Sequence, residues 1–178
     1  MLKPQDVMIA LKLVTMTGRE WKYSEAALEL CMSPSEVHSG VKRLKRCGLV
    51  TELSISLDTT EMKQHLPETA NIKEFLRHGV RFVFPLALGE PVLGIPTSYG
   101  VTHLFEGFSH RFPYTPVWEL PGGEYAGSSV KPLYASAPKA AVRDFRLYEL
   151  LALTDALRTD DAPLRDFAFE KINLLLGE

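Results

Sequence analysis

The chain has 178 residues, 46% of them apolar and 24% charged, with a formal net charge of −2. That length suits one domain or two small ones around a buried core, and the charge excludes a histone-like polybasic binder while leaving room for a compact reader with its cations on one face. No apolar run approaches the roughly 20 residues of a membrane span, the N-terminus shows no apolar leader, and two cysteines without a CxxC pair fit reduced thiols in the cytoplasm.

In chain order, Pro4 and Asp6 open a first expected helix, with Val7, Leu11 and Val14 on one face and Gly18 ending it. Ser24 is the expected N-cap of a second helix over "SEAALELC". Ser33-Pro34-Ser35-Glu36 forms a capping box with Pro at the first helical position. The helix that follows buries Val37, Val41 and Leu44 and stops at Gly48, a glycine expected in the left-handed region. "TELSISL" alternates as a strand does. "DTTEMKQHL" fits either a returning strand or a short helix opened by Asp58 and Glu61.

"NIKEFLRHG" predicts a short helix capped by Asn71 and stopped by Gly79, and "VRFVFPL" predicts a strand. From Gly79 to Pro138, glycines and prolines mix with Phe82, Phe84, Tyr99, Tyr114 and Trp118, which favours short strands and turns over long helices. Two closing helices are expected over "RDFRLYELLALTDALR" and "LRDFAFEKINLLL", separated by Asp160, Asp161 and Pro163. They read as a helical hairpin whose apolar faces need a partner surface.

The expected second and third helices, joined by a turn of about three residues, make a helix-turn-helix. Ala27 permits close approach, Cys31 suits the tight turn, and Val37 plugs the first helix from the second. With Val41, Leu44 and the Gly48-Leu49 exit, this spacing over residues 4–57 resembles winged helix-turn-helix transcription regulators of the MarR-like kind. In one departure, Gly40 stands where a branched apolar residue is common.

The resemblance implies that the helix from Pro34 to Cys47 lies in the major groove of double-stranded DNA. Ser35, Glu36, His38 and Ser39 would then face base edges, Glu accepting from cytosine N4. Lys42, Arg43, Lys45 and Arg46 would contact phosphates and set register, and Ser33 and Ser24 would offer helix N-termini to the backbone.

"FLRHG", "FP", "PT", "PVW", "PLY" and "ALTDALR", spread over residues 71–158, resemble a bacterial family of small winged-helix proteins of mostly unassigned role. That resemblance implies a partner-linked, antitoxin-like regulator.

Chemistry finds less support. His38, His65, His78, His103 and His110 form no HxH or HExxH pattern, so neither metal nor cofactor is expected. "PGGEYAGSSVK" lacks the GKS or GKT ending of a phosphate loop, and Ser128 and Ser129 have no positioned base, so no enzyme is expected. The expected fold is α+β: a winged helix-turn-helix over residues 1–66, then a mixed Gly/Pro-rich, β-containing domain over 67–178 ending in the hairpin. A DNA-binding repressor working as a homodimer is the primary expectation. A protein-interaction module that keeps the winged-helix shape without reading DNA is the alternative.

Overall fold

A computed structural model describes residues 1–57 and 60–177. The chain is α+β, in the order α1 (Pro4–Thr15), α2 (Tyr23–Leu30), α3 (Pro34–Arg46), β1 (Val50–Leu57), β2 (Thr60–Pro67), α4 (Thr69–His78), α5 (Val80–Val83), β3 (Leu88–Pro96), β4 (Pro116–Glu119), β5 (Tyr125–Val130), α6 (Ala137–Arg143), α7 (Phe145–Leu157) and α8 (Ala162–Leu176). β1 and β2 form an antiparallel hairpin. The stretch from Thr60 is therefore strand rather than helix, and the helix start considered at Asp58 lies outside the described residues. In the second sheet β3 pairs with both β4 and β5, and those two pair with each other, so three strands close on themselves. Gly94 is what lets them close: it pairs with Glu119 on one side and Tyr125 on the other, and a Cβ there would lie 1.8 Å from the Trp118 carbonyl oxygen.

Two helices form the centre. In α1 every residue from Asp6 to Val14 is buried, and in α7 every residue from Leu150 to Leu157 is buried. Both segments are apolar nearly all round, which suits a helix enclosed on several sides rather than one with a single apolar stripe. α1 packs on α3 and on α7, and α7 packs on α8. One hydrophobic cluster therefore runs through Val37 and Leu44, Ile9 and Leu13, Leu150 and Leu153, to Leu164 and Ile172. It crosses position 66 without a break.

Three local expectations are corrected. α2 begins at Tyr23, with Lys22 as an N-cap that makes no side-chain bond, so Ser24 lies within the helix. α4 begins at Thr69, and Asn71 inside it donates from Nδ2 to the Gly48 carbonyl at 2.7 Å, tying α4 to the end of α3. "VRFVFPL" opens with the single helical turn of α5 rather than a strand. Gly79 stays right-handed helical and carries the chain on, burying Val80 and leaving Phe82 and Val83 outside.

Two buried polar clusters tie distant elements together, the first joining α1 and α2 to α7 and the second joining segments within residues 84–158. Lys12, 2% exposed, forms ion pairs with Glu29 of α2 and, at 2.5 Å, with Asp144 at the start of α7. Asp155, 1% exposed, accepts hydrogen bonds from Thr97 Oγ1 and Trp118 Nε1 at 2.8 Å and from Arg158 Nη1 at 2.5 Å. Arg158 also donates from Nε to the Phe84 carbonyl at 2.7 Å. Buried charges survive where partners and hydrogen bonds replace lost water, and here the partners come from α2, α7, β4 and the segments around Phe84 and Thr97.

Candidate nucleic-acid interface

α3 is fixed at both ends by its own sequence. Ser33 Oγ accepts the Glu36 N–H at 3.2 Å, while Glu36 accepts the Ser33 N–H at 3.0 Å, completing the capping box. At the other end the Gly48 N–H bonds the Lys45 carbonyl and the Leu49 N–H bonds the Leu44 carbonyl, the two bonds of a Schellman motif, with Gly48 at φ +70°. Leu30 and Ala27 of α2 and Val37, Val41 and Leu44 of α3 are all buried. The turn between the helices is made at Cys31, which adopts the left-handed conformation at φ 52°.

Gly40 has a structural reason. A Cβ there would meet Ile9 Cδ1 at 2.4 Å and Asp6 Oδ1 at 3.1 Å, so its absence lets α1 pass close beneath α3. Through that gap Arg43 reaches Asp6, donating from Nε at 2.8 Å and from Nη2 at 2.7 Å to a carboxylate with no exposed surface. The bond to Asp6 raises the Arg43 pKa further above its already high value. Arg43 thus turns inward and pins α3 to α1, and the phosphate role expected for it does not fit this placement.

Glu36 is likewise committed. Its second carboxylate oxygen accepts the Tyr134 hydroxyl from the segment before α6. That bond and the two from Ser33 hold the Glu36 carboxyl below its usual range, and the same bond raises the Tyr134 hydroxyl. Both Glu36 oxygens therefore have donors already, Oε2 from the Ser33 N–H and hydroxyl and Oε1 from Tyr134, so little acceptor capacity is left for a cytosine.

The rest of the set faces outward. Ser33, Ser35, His38, Lys42, Lys45 and Arg46 are exposed or partly so, and Ser39 is half-buried. Positions 35, 38, 39, 42, 45 and 46 follow three- and four-residue steps, which place them along one side of a helix. Lys45 pairs with Glu52 of β1 at 2.5 Å. Among the described residues Lys42 and Arg46 have no ion-pair partner, so two cations stand clear and a third leans on the hairpin.

Residues with no sequence signal complete this surface. Trp21, Tyr23 and His65 form an aromatic group with centroids 5.3–6.3 Å apart, and His38 meets Tyr23 edge-on at 5.2 Å. Tyr23, His38 and His65 join Lys42 and Glu52 in lining a cavity of about 300 Å³ between α3 and the β1–β2 hairpin. Burial and the nearby Glu52 carboxylate push the Tyr23 hydroxyl up, so it stays protonated as a donor. These side chains come from α2, α3, β1 and β2 and meet only because the hairpin folds back beside α3.

Elsewhere the sequence candidates do not converge. His103 stacks on Phe145 and lies 3.3 Å from Glu149, while His78 lies near Glu74. No group of three metal-ligating side chains occurs among the described residues. Both cysteines are free thiols. No helix among the described residues is long and apolar enough to cross a membrane. Comparison of the chain with family models, curated proteins and solved structures found no match.

Proposed function

We propose that this chain is a sequence-specific double-stranded DNA-binding regulator, a cytoplasmic transcription repressor whose α1–α3 and β1–β2 act as a winged helix-turn-helix. One observation carries the reading. α3 is clamped on its inner side by Val37, Val41, Leu44 and the Arg43–Asp6 bridge, while its outer side presents polar groups at the N-terminal end and, toward the C-terminal end, Lys42 and Arg46, which have no ion-pair partner among the described residues. A helix that enters the major groove reads bases near its start and meets phosphates along its flank, so polar-then-basic is the order it needs. Ser35, His38 and Ser39 are the base-reading candidates; Lys42, Lys45 and Arg46 are the phosphate contacts.

One such helix covers few base pairs, so a homodimer on two half-sites is part of the proposal. α7 lies in the chain's own core, which leaves the outer sides of α8 and of the α2–α6 region for pairing.

The test is a shift assay on the DNA upstream of the protein's own coding region, over a salt series. Lys42→Ala with Arg46→Ala is expected to weaken binding on all sequences and to reduce the salt slope by about two, one unit for each phosphate left without its cation. Unchanged affinity and slope in that pair would remove α3 as the reading helix. Arg43→Ala is expected to behave differently. It strands a fully buried carboxylate, which costs about 3–5 kcal/mol of stability, so a melting curve rather than the salt slope registers the change.

A partner-protein role has one observation in its favour. Leu28, Val142 and Phe145 are 70%, 67% and 62% exposed, and Leu28 and Phe145 share one cleft with Arg143 and Arg146. Copurification of a tight partner without any DNA affinity would favour that role.

A further inference from the structure

Away from α3, the end of α4, the turn of α5 and the start of α8 enclose a cavity of about 360 Å³ lined by Arg77, His78, Arg81, Phe82, Arg165 and Asp166. Three guanidinium groups share it with one lining carboxylate. Asp166, itself 62% exposed, binds Arg77 at 2.8 Å and so staples α4 to α8. The other two arginines have no comparable duty. Arg81 approaches Asp160 only to 3.9 Å, and that carboxylate stands fully in solvent. Arg165 donates from Nη1 to the Thr159 carbonyl at 3.0 Å and has no ion pair among the described residues. His78 has Glu74 at 3.7 Å, and both are largely exposed. Beside them Phe82 is 69% exposed, with the Arg81 guanidinium 4.1 Å from its ring centre.

Guanidinium groups are planar forks that match phosphate oxygens in pairs, and they hold water less tightly than ammonium groups do. Their spare N–H donors here line a concave site within the size range of small-ligand pockets. Exposed ion pairs such as Arg81–Asp160 contribute little, so a doubly charged ligand competes with them readily.

We propose that this cleft binds the phosphate group of a small ligand. Arg81 and Arg165 supply the principal donors, Arg77 the third, and Phe82 a flat apolar wall. The ligand's source is a free phosphate or a mononucleotide, which share this chemistry and differ in whether a base lies on Phe82.

The experiment is calorimetric titration of the full chain at low salt with inorganic phosphate and with adenosine monophosphate, adenosine serving as the control. Saturable binding of phosphate or the nucleotide, with none of adenosine, is expected. Arg81→Ala with Arg165→Ala is expected to weaken it about tenfold to a hundredfold, while Lys42→Ala with Arg46→Ala leaves it unchanged. If the alanine pair fails to fold, Arg81→Gln with Arg165→Gln carries the same expectation. Phe82→Ala separates the sources: weaker binding of the nucleotide alone identifies a nucleotide site, and an equal effect on both probes identifies a phosphate site. No binding of either probe, or unchanged affinity in the arginine pair, overturns the proposal.

Discussion

Asp155→Ala is expected to be among the most damaging single substitutions in the chain, lowering the melting temperature by about 6–20 °C. Asp155 is the common acceptor for Thr97, Trp118 and Arg158. Its loss leaves the Arg158 guanidinium, itself 6% exposed, with backbone carbonyls alone and orphans two buried donors. Breaking a buried pair costs about 3–5 kcal/mol, and each kcal/mol moves a domain of this size by about 2–4 °C. Burial pushes the Asp155 carboxyl upward, while Arg158, Thr97 and Trp118 oppose that push, so the site depends on its three donors together. Trp118→Phe removes one donor and keeps most of the ring, so its cost should be much smaller. If Asp155→Ala melts within a degree or two of the parent, the cluster does not join the second sheet to α7 as described.

Lys12→Met is the second large effect, about 2–4 kcal/mol or roughly 4–16 °C. Methionine fills the space of the lysine stem, so the loss comes from the charge. Glu29 and Asp144 would then face each other without the ammonium group between them, although their partial exposure of 31% and 20% softens the penalty. The substitution also has a pH signature. Burial raises both carboxyls, yet their hydrogen bonds and charge interactions with Lys12, helped by Arg19 at Glu29 and by the Leu147 N–H at Asp144, bring each below its usual value. Groups lowered in the folded state contribute stability that is complete above their unfolded values, near 4, and fades as pH falls through the folded ones. In Lys12→Met the share of that lowering due to Lys12 is lost, while Arg19 and the Leu147 N–H remain, so acid unfolding should begin at higher pH. An acid-unfolding midpoint that does not move would show that Lys12 does not hold these carboxylates.

α3 was legible because its determinants are local. Ser33 and Glu36 are three residues apart, Gly48 needs only its own backbone, and Val37, Val41 and Leu44 repeat at helical spacing. The outward serines, His38, Lys42, Lys45 and Arg46 follow from the same periodicity. Arg43 was illegible for the opposite reason. Its charge reads like its neighbours', and only the approach of Asp6, 37 residues earlier and admitted by Gly40, turns it inward. Glu36 meets Tyr134 across 98 residues, a pairing no spacing rule reaches.

Segments of mixed signal went astray where a neighbour decided them. "VRFVFPL" alternates like a strand, but α4 runs on through a right-handed Gly79, and the extended part then binds Arg158 instead of a sheet. The Phe82 and Arg81 of that turn gain meaning only beside Arg165 of α8.

By itself, then, the amino-acid order determined the α+β class, the capped third helix with its basic flank, the strand after it and the two closing helices, because caps, turns and periodicity act over a few residues. The tertiary structure alone decided that α1 and α7 are interior, that Lys12, Arg43 and Asp155 hold the chain together, and that three arginines from α4, α5 and α8 meet in one cleft. Those outcomes depend on desolvation and on partners far apart in sequence. A charged side chain acquires them only when the fold removes water from one side of it and supplies a counter-charge on the other.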